Sequence, residues 1–196
     1  MTESQRERLA LCRVGIAGVG GLGSHVAAAL ARAGVGQLVI ADYDRVETAN
    51  LERQYYFAGQ VGELKVVALA RNLKQIDPGV RVSARAIRIR PDNLVAVFAG
   101  VEVLVEAFDR VAEKVMLVSN FRRFFPGVPL VAASGAAGIG PAATIETRRV
   151  TENLYLCGDE VSGVSEERRL EAPRVGIVAH HQALAVVRLL NGLEPA

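Results

Sequence analysis

Short apolar runs alternate with longer amphipathic segments along most of the chain. Val14-Gly15-Ile16-Ala17 is an apolar run that ends in glycines and predicts a buried strand. Ser24 to Ala33 is small and apolar with good helix formers, and Gly34 supplies a stop. Gln37 to Ala41 predicts a second strand, which completes a strand–helix–strand unit. Glu63 to Gln75 predicts a helix, with Pro78 just beyond it, and Val80 to Ile89 alternates as a strand does. Pro91-Asp92-Asn93 opens a short helix. Val101 to Val105 and Pro129 to Ala133 are further strands, separated by a helix from about Ala112 to Phe124.

Beyond Gly140 the pattern changes. Ala142 to Val150 and Asn153 to Cys157 predict strands with no room for a helix between them, hence an antiparallel pair. Gly158 to Pro173 is charged and poorly periodic and predicts a surface loop, and Val175 to Leu190 predicts a final apolar helix. The expected architecture is one α/β domain over residues 1–196. It is Rossmann-like, with a mostly parallel sheet flanked by helices and antiparallel strands toward the C-terminus.

Composition narrows the function classes. With 23 Lys+Arg against 21 Asp+Glu, the chain lacks the charge excess of a nucleic-acid binder, so no nucleic-acid partner is expected. Its 2 cysteines are too few for a disulfide scaffold or a four-thiolate zinc site. Met1 to Arg8 is polar and reads as no signal peptide, and no apolar run is long enough to span a bilayer. A reduced, cytoplasmic protein without membrane attachment is the expectation.

The chemistry concentrates between Val14 and Lys65. A strand that turns into a helix through Gly18-Val19-Gly20-Gly21-Leu22-Gly23 aims bare N–H groups and a positive helix end at one point, which makes an anion site. Gly18 permits the tight turn, Gly20 and Gly21 let a phosphate approach, and Gly23 allows close helix–strand packing. Asp42, ending the second strand, is placed for ribose hydroxyls. A nicotinamide or flavin nucleotide would use the same residues, and a turn that serves packing alone is the plainer alternative. Phosphoryl or adenylyl transfer needs cations at the phosphates and a carboxylate for Mg²⁺. Arg53 and Lys65 are the candidate cations, and Asp109, after the Val101–Val105 run, is the candidate carboxylate. Asp109 could instead cap the helix that follows it.

These pieces resemble the adenylating family that includes ThiF, MoeB and the ubiquitin-activating enzymes. The resemblance is carried by Gly18 to Gly23, Asp42-Tyr43-Asp44, Asn50-Leu51-Glu52-Arg53-Gln54, Gly62-Glu63-Leu64-Lys65, Ile76-Asp77-Pro78 and Glu106-Ala107-Phe108-Asp109. The ending Ala172-Pro173-Arg174-Val175-Gly176, with His181-Gln182-Ala183, is similar to the short ThiF-like branch. The resemblance implies ATP at Gly18, Gly20, Gly21 and Gly23, with Asp42, Asp44, Asn50, Arg53, Gln54 and Lys65 around it and Mg²⁺ at Asp109. It implies adenylylation of the C-terminal glycine of a ubiquitin-like sulfur carrier protein ending in Gly-Gly, in thiamine biosynthesis, by a homodimer. The competing readings are an NAD-dependent oxidoreductase and a non-catalytic nucleotide-binding scaffold.

The sequence also departs from the family. Glu52 and Arg110 stand where many relatives have amides, and the paired CxxC motifs of longer relatives are missing, so no zinc is expected. Relatives borrow an N-terminal arginine from the dimer partner, for which Arg6, Arg8 and Arg13 are candidates. Some relatives also use a cysteine acceptor. Cys157 is the candidate here, although Leu154, Tyr155 and Leu156 favour a buried, inert thiol, and Cys12 reads as structural. His25, adjacent His180 and His181 are assigned no chemistry.

Overall fold

A computed structural model describes residues 1–195. Its strands are β1 (Arg13–Ala17), β2 (Gln37–Asp42), β3 (Arg81–Ala86), β4 (Val103–Glu106), β5 (Leu130–Ala133), β6 (Glu146–Thr151) and β7 (Leu154–Gly158). Its helices are α1 (Glu3–Leu11), α2 (Gly21–Ala33), α3 (Lys65–Ile76), α4 (Leu94–Phe98), α5 (Val111–Phe124) and α6 (Ala172–Leu190). The strands form one sheet in the order β3-β2-β1-β4-β5-β7-β6, parallel throughout except for β6 against β7. The expected Rossmann-like α/β class is therefore the observed one.

Alternation along the strands divides the core into two layers. Val14, Ile16, Leu38, Ile40, Val103 and Val105 pack with residues of α2, α3 and α6, while Ala17, Val39, Ala41, Leu104 and Leu130 pack with α4 and α5. Gly15 points into the second layer, where a Cβ would lie 2.8 Å from Leu104 and 2.9 Å from Phe98. Alanines 27, 28, 31, 179 and 183 on α2 and α6 are buried, which suits the close packing of these two helices. Buried Gln182 of α6 donates to the carbonyls of Glu106 and Val131, tying that helix to the end of β4 and to the body of β5.

β3 ends at Ala86 rather than Ile89 and α6 starts at Ala172 rather than Val175, and two elements differ more from the sequence expectation. Helix α1 was not anticipated: only Leu9 of it is buried, and a capping box between Thr2 and Gln5 secures its start. Strand β6 begins at Glu146 rather than Ala142, because residues 142–144 turn through a short 3₁₀ segment after Pro141.

Candidate active site

The strand order reverses between β1 and β4, and a cleft at such a switch point is where open α/β sheets bind ligands. A cavity of about 520 Å³ opens there, within the range of small-molecule sites. Its floor begins at the glycine turn. Gly18 has φ +86°, and Ala107 O lies where a side chain would go. A Cβ on Gly23 would collide with Gly18 O, so this glycine allows α2 to start directly over β1. Gly20, Gly21 and Leu22 line the cavity, and the first N–H groups of α2 face it without intrahelical partners.

Asp42 stitches the turn to β2. Its carboxylate accepts from Val19 N–H at 2.8 Å and Asp44 N–H at 2.9 Å. Burial pushes this carboxyl above the usual range, while those two N–H groups and Lys65 oppose the shift. The long connection from Tyr43 to Leu64 is held by buried polar contacts. Ser24 Oγ accepts from Tyr55 N–H, Tyr56 Oη donates to Val19 O at 2.7 Å, and Gln60 pairs with Asn72 at 2.6 Å.

The sequence-predicted charged groups, with the Gln54 amide, converge on this cavity. Arg53, Gln54, Lys65, Asp42, Asp44 and Asp109 all line it. Lys65 Nζ donates to Asp44 at 3.0 Å, and Arg53 donates to Ala49 O at 3.0 Å and to Glu52 at 2.5 Å. Asp109 is exposed at the rim, and α5 takes Arg110 as its N-cap without any side-chain capping bond. The capping alternative for Asp109 therefore has no bond behind it. Gly23 and Asn50 stand behind the lining: Asn50 is buried and accepts from Glu47 N–H at 3.1 Å, shaping the loop that carries Arg53.

Cys157 lies outside this cavity in the core, 3.6 Å from Thr147 Oγ1, which in turn meets His181 at 3.0 Å. Burial pushes its thiol up to about 11, against the hydrogen bond from Thr147. His25, His180 and His181 border a separate shallow apolar groove with Leu184.

Several lining residues escaped the sequence reading. Lys114 donates to both oxygens of buried Glu106 at 3.0 Å and to Ala133 O at 3.1 Å. Burial raises the Glu106 carboxyl against the pull of Lys114. A glutamate at the end of an apolar strand run demands a cation, and that was the available signal. Arg88 and Glu113 also line the cavity and pair at 2.7 Å. The far wall comprises residues 133–137 and 162–164 with Leu170 and Val175. It is fastened by Arg174, which donates to Asp159 at 2.5 Å and to Gly140 O at 2.7 Å. The expected surface loop after Gly158 is thus anchored at its base.

Fold and site together define a Rossmann-like α/β protein with a cleft lined by charged side chains at the sheet's switch point. The chain belongs to the ThiF family, which it matches over residues 1–196. It is 32% identical over 191 residues to the molybdopterin-synthase adenylyltransferase of Salmonella typhimurium, covering 94% of this chain and 75% of that one. The sulfur carrier protein ThiS adenylyltransferase of Escherichia coli is 30% identical over 194 residues, covering 96% and 76%. The E. coli tRNA threonylcarbamoyladenosine dehydratase is 35% identical over a shorter 125 residues, 63% of this chain and 46% of that one. A crystal structure of that dehydratase in complex with ATP shares the fold, with a TM-score of 0.88 at 22% identity and coverage of 97% and 90%.

Proposed function

We infer that the protein is an ATP-dependent adenylyltransferase that activates the C-terminal glycine carboxylate of a ubiquitin-like, ThiS-like sulfur carrier. The observation that carries this reading is the convergence of Arg53, Lys65 and Asp109 with the glycine turn in one cavity. The carboxylate of the carrier attacks the α-phosphate of ATP, the bond to the β-phosphate breaks, and pyrophosphate leaves with the electron pair. The product is a carrier acyl-adenylate. No side-chain nucleophile is required, so the chain's work is positioning and charge neutralisation.

In this reading the N–H groups at Gly20 to Leu22 and the cations Arg53 and Lys65 receive the phosphates, and Asp42 takes the ribose. Mg²⁺ binds proteins through one or two carboxylates plus substrate phosphates, and Asp109, at the rim of the same cavity, suits that role. The ion would neutralise charge on the leaving pyrophosphate. Relatives named for adenylylating a sulfur carrier and matched over nearly the whole chain support the carrier as substrate. The thiamine pathway, a homodimer and a cytoplasmic setting belong to the same proposal. No described helix is long and apolar enough to cross a membrane.

The dehydratase relative favours a second reading, in which the activated group lies on tRNA. The near balance of 23 basic and 21 acidic residues favours the carrier. ATP–pyrophosphate exchange, measured with a carrier ending in Gly-Gly and separately with tRNA, tests both. Carrier-dependent exchange that disappears in Asp109→Ala is the expected result. Exchange driven by tRNA alone would transfer the assignment to RNA, and no exchange with any carrier despite ATP binding would leave a scaffold.

A further inference from the structure

A phosphate can reach the N–H groups of the glycine turn only if the turn's carbonyls are held away from it. The described peptide bonds are trans, so the C=O and N–H of each unit point in opposite directions. Two side chains hold the carbonyls from behind. Tyr56 Oη donates to Val19 O at 2.7 Å, which turns the Gly20 N–H the other way. Ser24 Oγ donates to Gly20 O at 2.6 Å, which does the same for the Gly21 N–H. Neither N–H has a backbone acceptor among the described residues, and both glycines line the cavity. Ser24 and Tyr56 are 0% and 5% exposed, and burial pushes the Tyr56 phenol up, so it remains a donor.

The same two residues fasten the loop that carries Arg53 and Gln54. Tyr56 belongs to that loop, and Ser24 Oγ also accepts from Tyr55 N–H at 3.0 Å. Asn72 Nδ2 donates to Tyr55 O at 3.2 Å from the other side. Arg53 O and Gln54 Nε2 consequently lie 3.8 Å and 3.7 Å from where a Cβ would stand on Gly21 and Gly20. We propose that Ser24 and Tyr56 are positioning residues for the phosphates, setting both the direction of the Gly20 and Gly21 N–H groups and the place of Arg53 beside them. Neither side chain lines the cavity, so each acts through the backbone it holds. The proposal rests on the nucleotide reading above. Two satisfied core hydroxyls that serve stability alone are the plainer alternative.

Calorimetric titration of the full chain with ATP and with inorganic tripolyphosphate, beside thermal melting, separates the two. Tyr56→Phe and Ser24→Ala should each weaken both ligands about threefold to tenfold, the span of one hydrogen bond, and in the same proportion. Ser24→Cys should behave like Ser24→Ala, because a thiol fills the space but is a weak donor. Tyr56→Phe keeps the shape of the ring, so it carries the test alone if Ser24→Ala does not fold. Its cost should shrink in an Arg53→Ala background, since the same contacts place that cation, and strictly additive losses would overturn the link to Arg53. A purely structural role lowers Tm and the fraction of chain that binds, while the folded remainder keeps its Kd. If Tyr56→Phe binds both ligands with the wild-type Kd, or loses ATP while tripolyphosphate is unchanged, the positioning role is overturned and the nucleotide site stands. If the wild type binds neither ligand, the nucleotide reading falls and the positioning role falls with it.

Discussion

Breaking the pair between Asp159 and Arg174 should destabilise the protein more than breaking any surface ion pair. The two side chains are only 7% and 3% exposed and meet at 2.5 Å. Arg174 also donates to Gly140 O at 2.7 Å, Pro141 O at 3.2 Å and Thr144 Oγ1 at 3.3 Å. One side chain at the start of α6 thus joins the loop after β5 to the loop after β7, the two segments that wall the cavity. The partners are not equivalent. Without Arg174, Asp159 keeps Val161 N–H, Ser162 N–H and the Ser162 hydroxyl. Without Asp159, Arg174 keeps neutral oxygens alone and becomes a buried cation without a counter-charge.

Removing one member of a buried pair costs about 3–5 kcal/mol. Asp159→Asn should fall in that range, with a loss of about 6–20 °C in Tm for a chain of this size. Arg174→Met should lie at or below its lower end. The double variant should cost less than the sum of the two, since the second change removes a group already left unpaired. Urea unfolding at constant m-value measures all three. Two single variants that each cost under about 1 kcal/mol, or a strictly additive cycle, would refute the reasoning. Acid supplies an independent check. Burial alone would raise the Asp159 carboxyl, but hydrogen bonds from Ser162, Val161 and Arg174 outweigh it and pull the group from 3.8 to about 2. In that window the unfolded chain binds more protons, so the contribution is complete above about pH 4 and is lost as the pH falls toward 2. The difference between wild type and Asp159→Asn should narrow over that interval.

Three further outcomes follow from named contacts. Gly23→Ala should unfold the protein or lower its Tm by more than about 5 °C, because the new methyl meets Gly18 O in the turn itself; circular dichroism melting checks it. Lys65→Met should slow carrier-dependent pyrophosphate exchange by about a hundredfold or more, while changing Tm only a few degrees. Equal collapse of both would remove Lys65 from the chemistry. Neither Cys12 nor Cys157 should react with Ellman's reagent at pH 8 in the native state, since both are buried with thiols pushed to about 11. Fast labelling of Cys157 would reopen its case as an acceptor.

The parts of this molecule that were legible in the sequence are those set by neighbours along the chain. Gly18 to Gly23, the alternation through β1 and β2, and the carboxylate ending β2 each announce themselves within a few residues. The antiparallel β6–β7 pair was equally visible, because Thr151 to Asn153 leave no length for a crossover. What stayed hidden depends on pairing across the fold. Arg88 with Glu113 and Asp159 with Arg174 are 25 and 15 residues apart, and nothing in either segment says that its loop meets the other. Helix α1 escaped for a different reason: it is polar on nearly every side, so hydrophobic periodicity could not reveal it, although the Thr2–Gln5 cap could have.

Cations are plentiful around the cavity, and the useful question is which of them a polyphosphate can recruit. Arg53, Lys65, Arg88 and Lys114 are each already engaged by a carboxylate, so a phosphate must displace an internal partner there; Arg110, at the mouth, has no such pair among the described residues. The exposure of that partner sets the cost. Asp44, the partner of Lys65, is 50% exposed, and Glu52, the partner of Arg53, is 66% exposed, so water solvates either one when it is released. Pairs with such a solvated member contribute about 1 kcal/mol or less. Glu106, the partner of Lys114, is 1% exposed, and freeing it would strand a buried carboxylate at a cost of about 3–5 kcal/mol. Lys114 also spends its third donor on Ala133 O, so it has no hydrogen left for a ligand. Of these three, the nucleotide reading proposed above assigns recruitment to Lys65 and Arg53 rather than Lys114, which braces β4, β5 and α5. The same criterion separates the consequences of mutation. Loss of Lys65 or Arg53 should appear in turnover, and loss of Lys114 should appear first in the stability of the strand ends that carry Asp109.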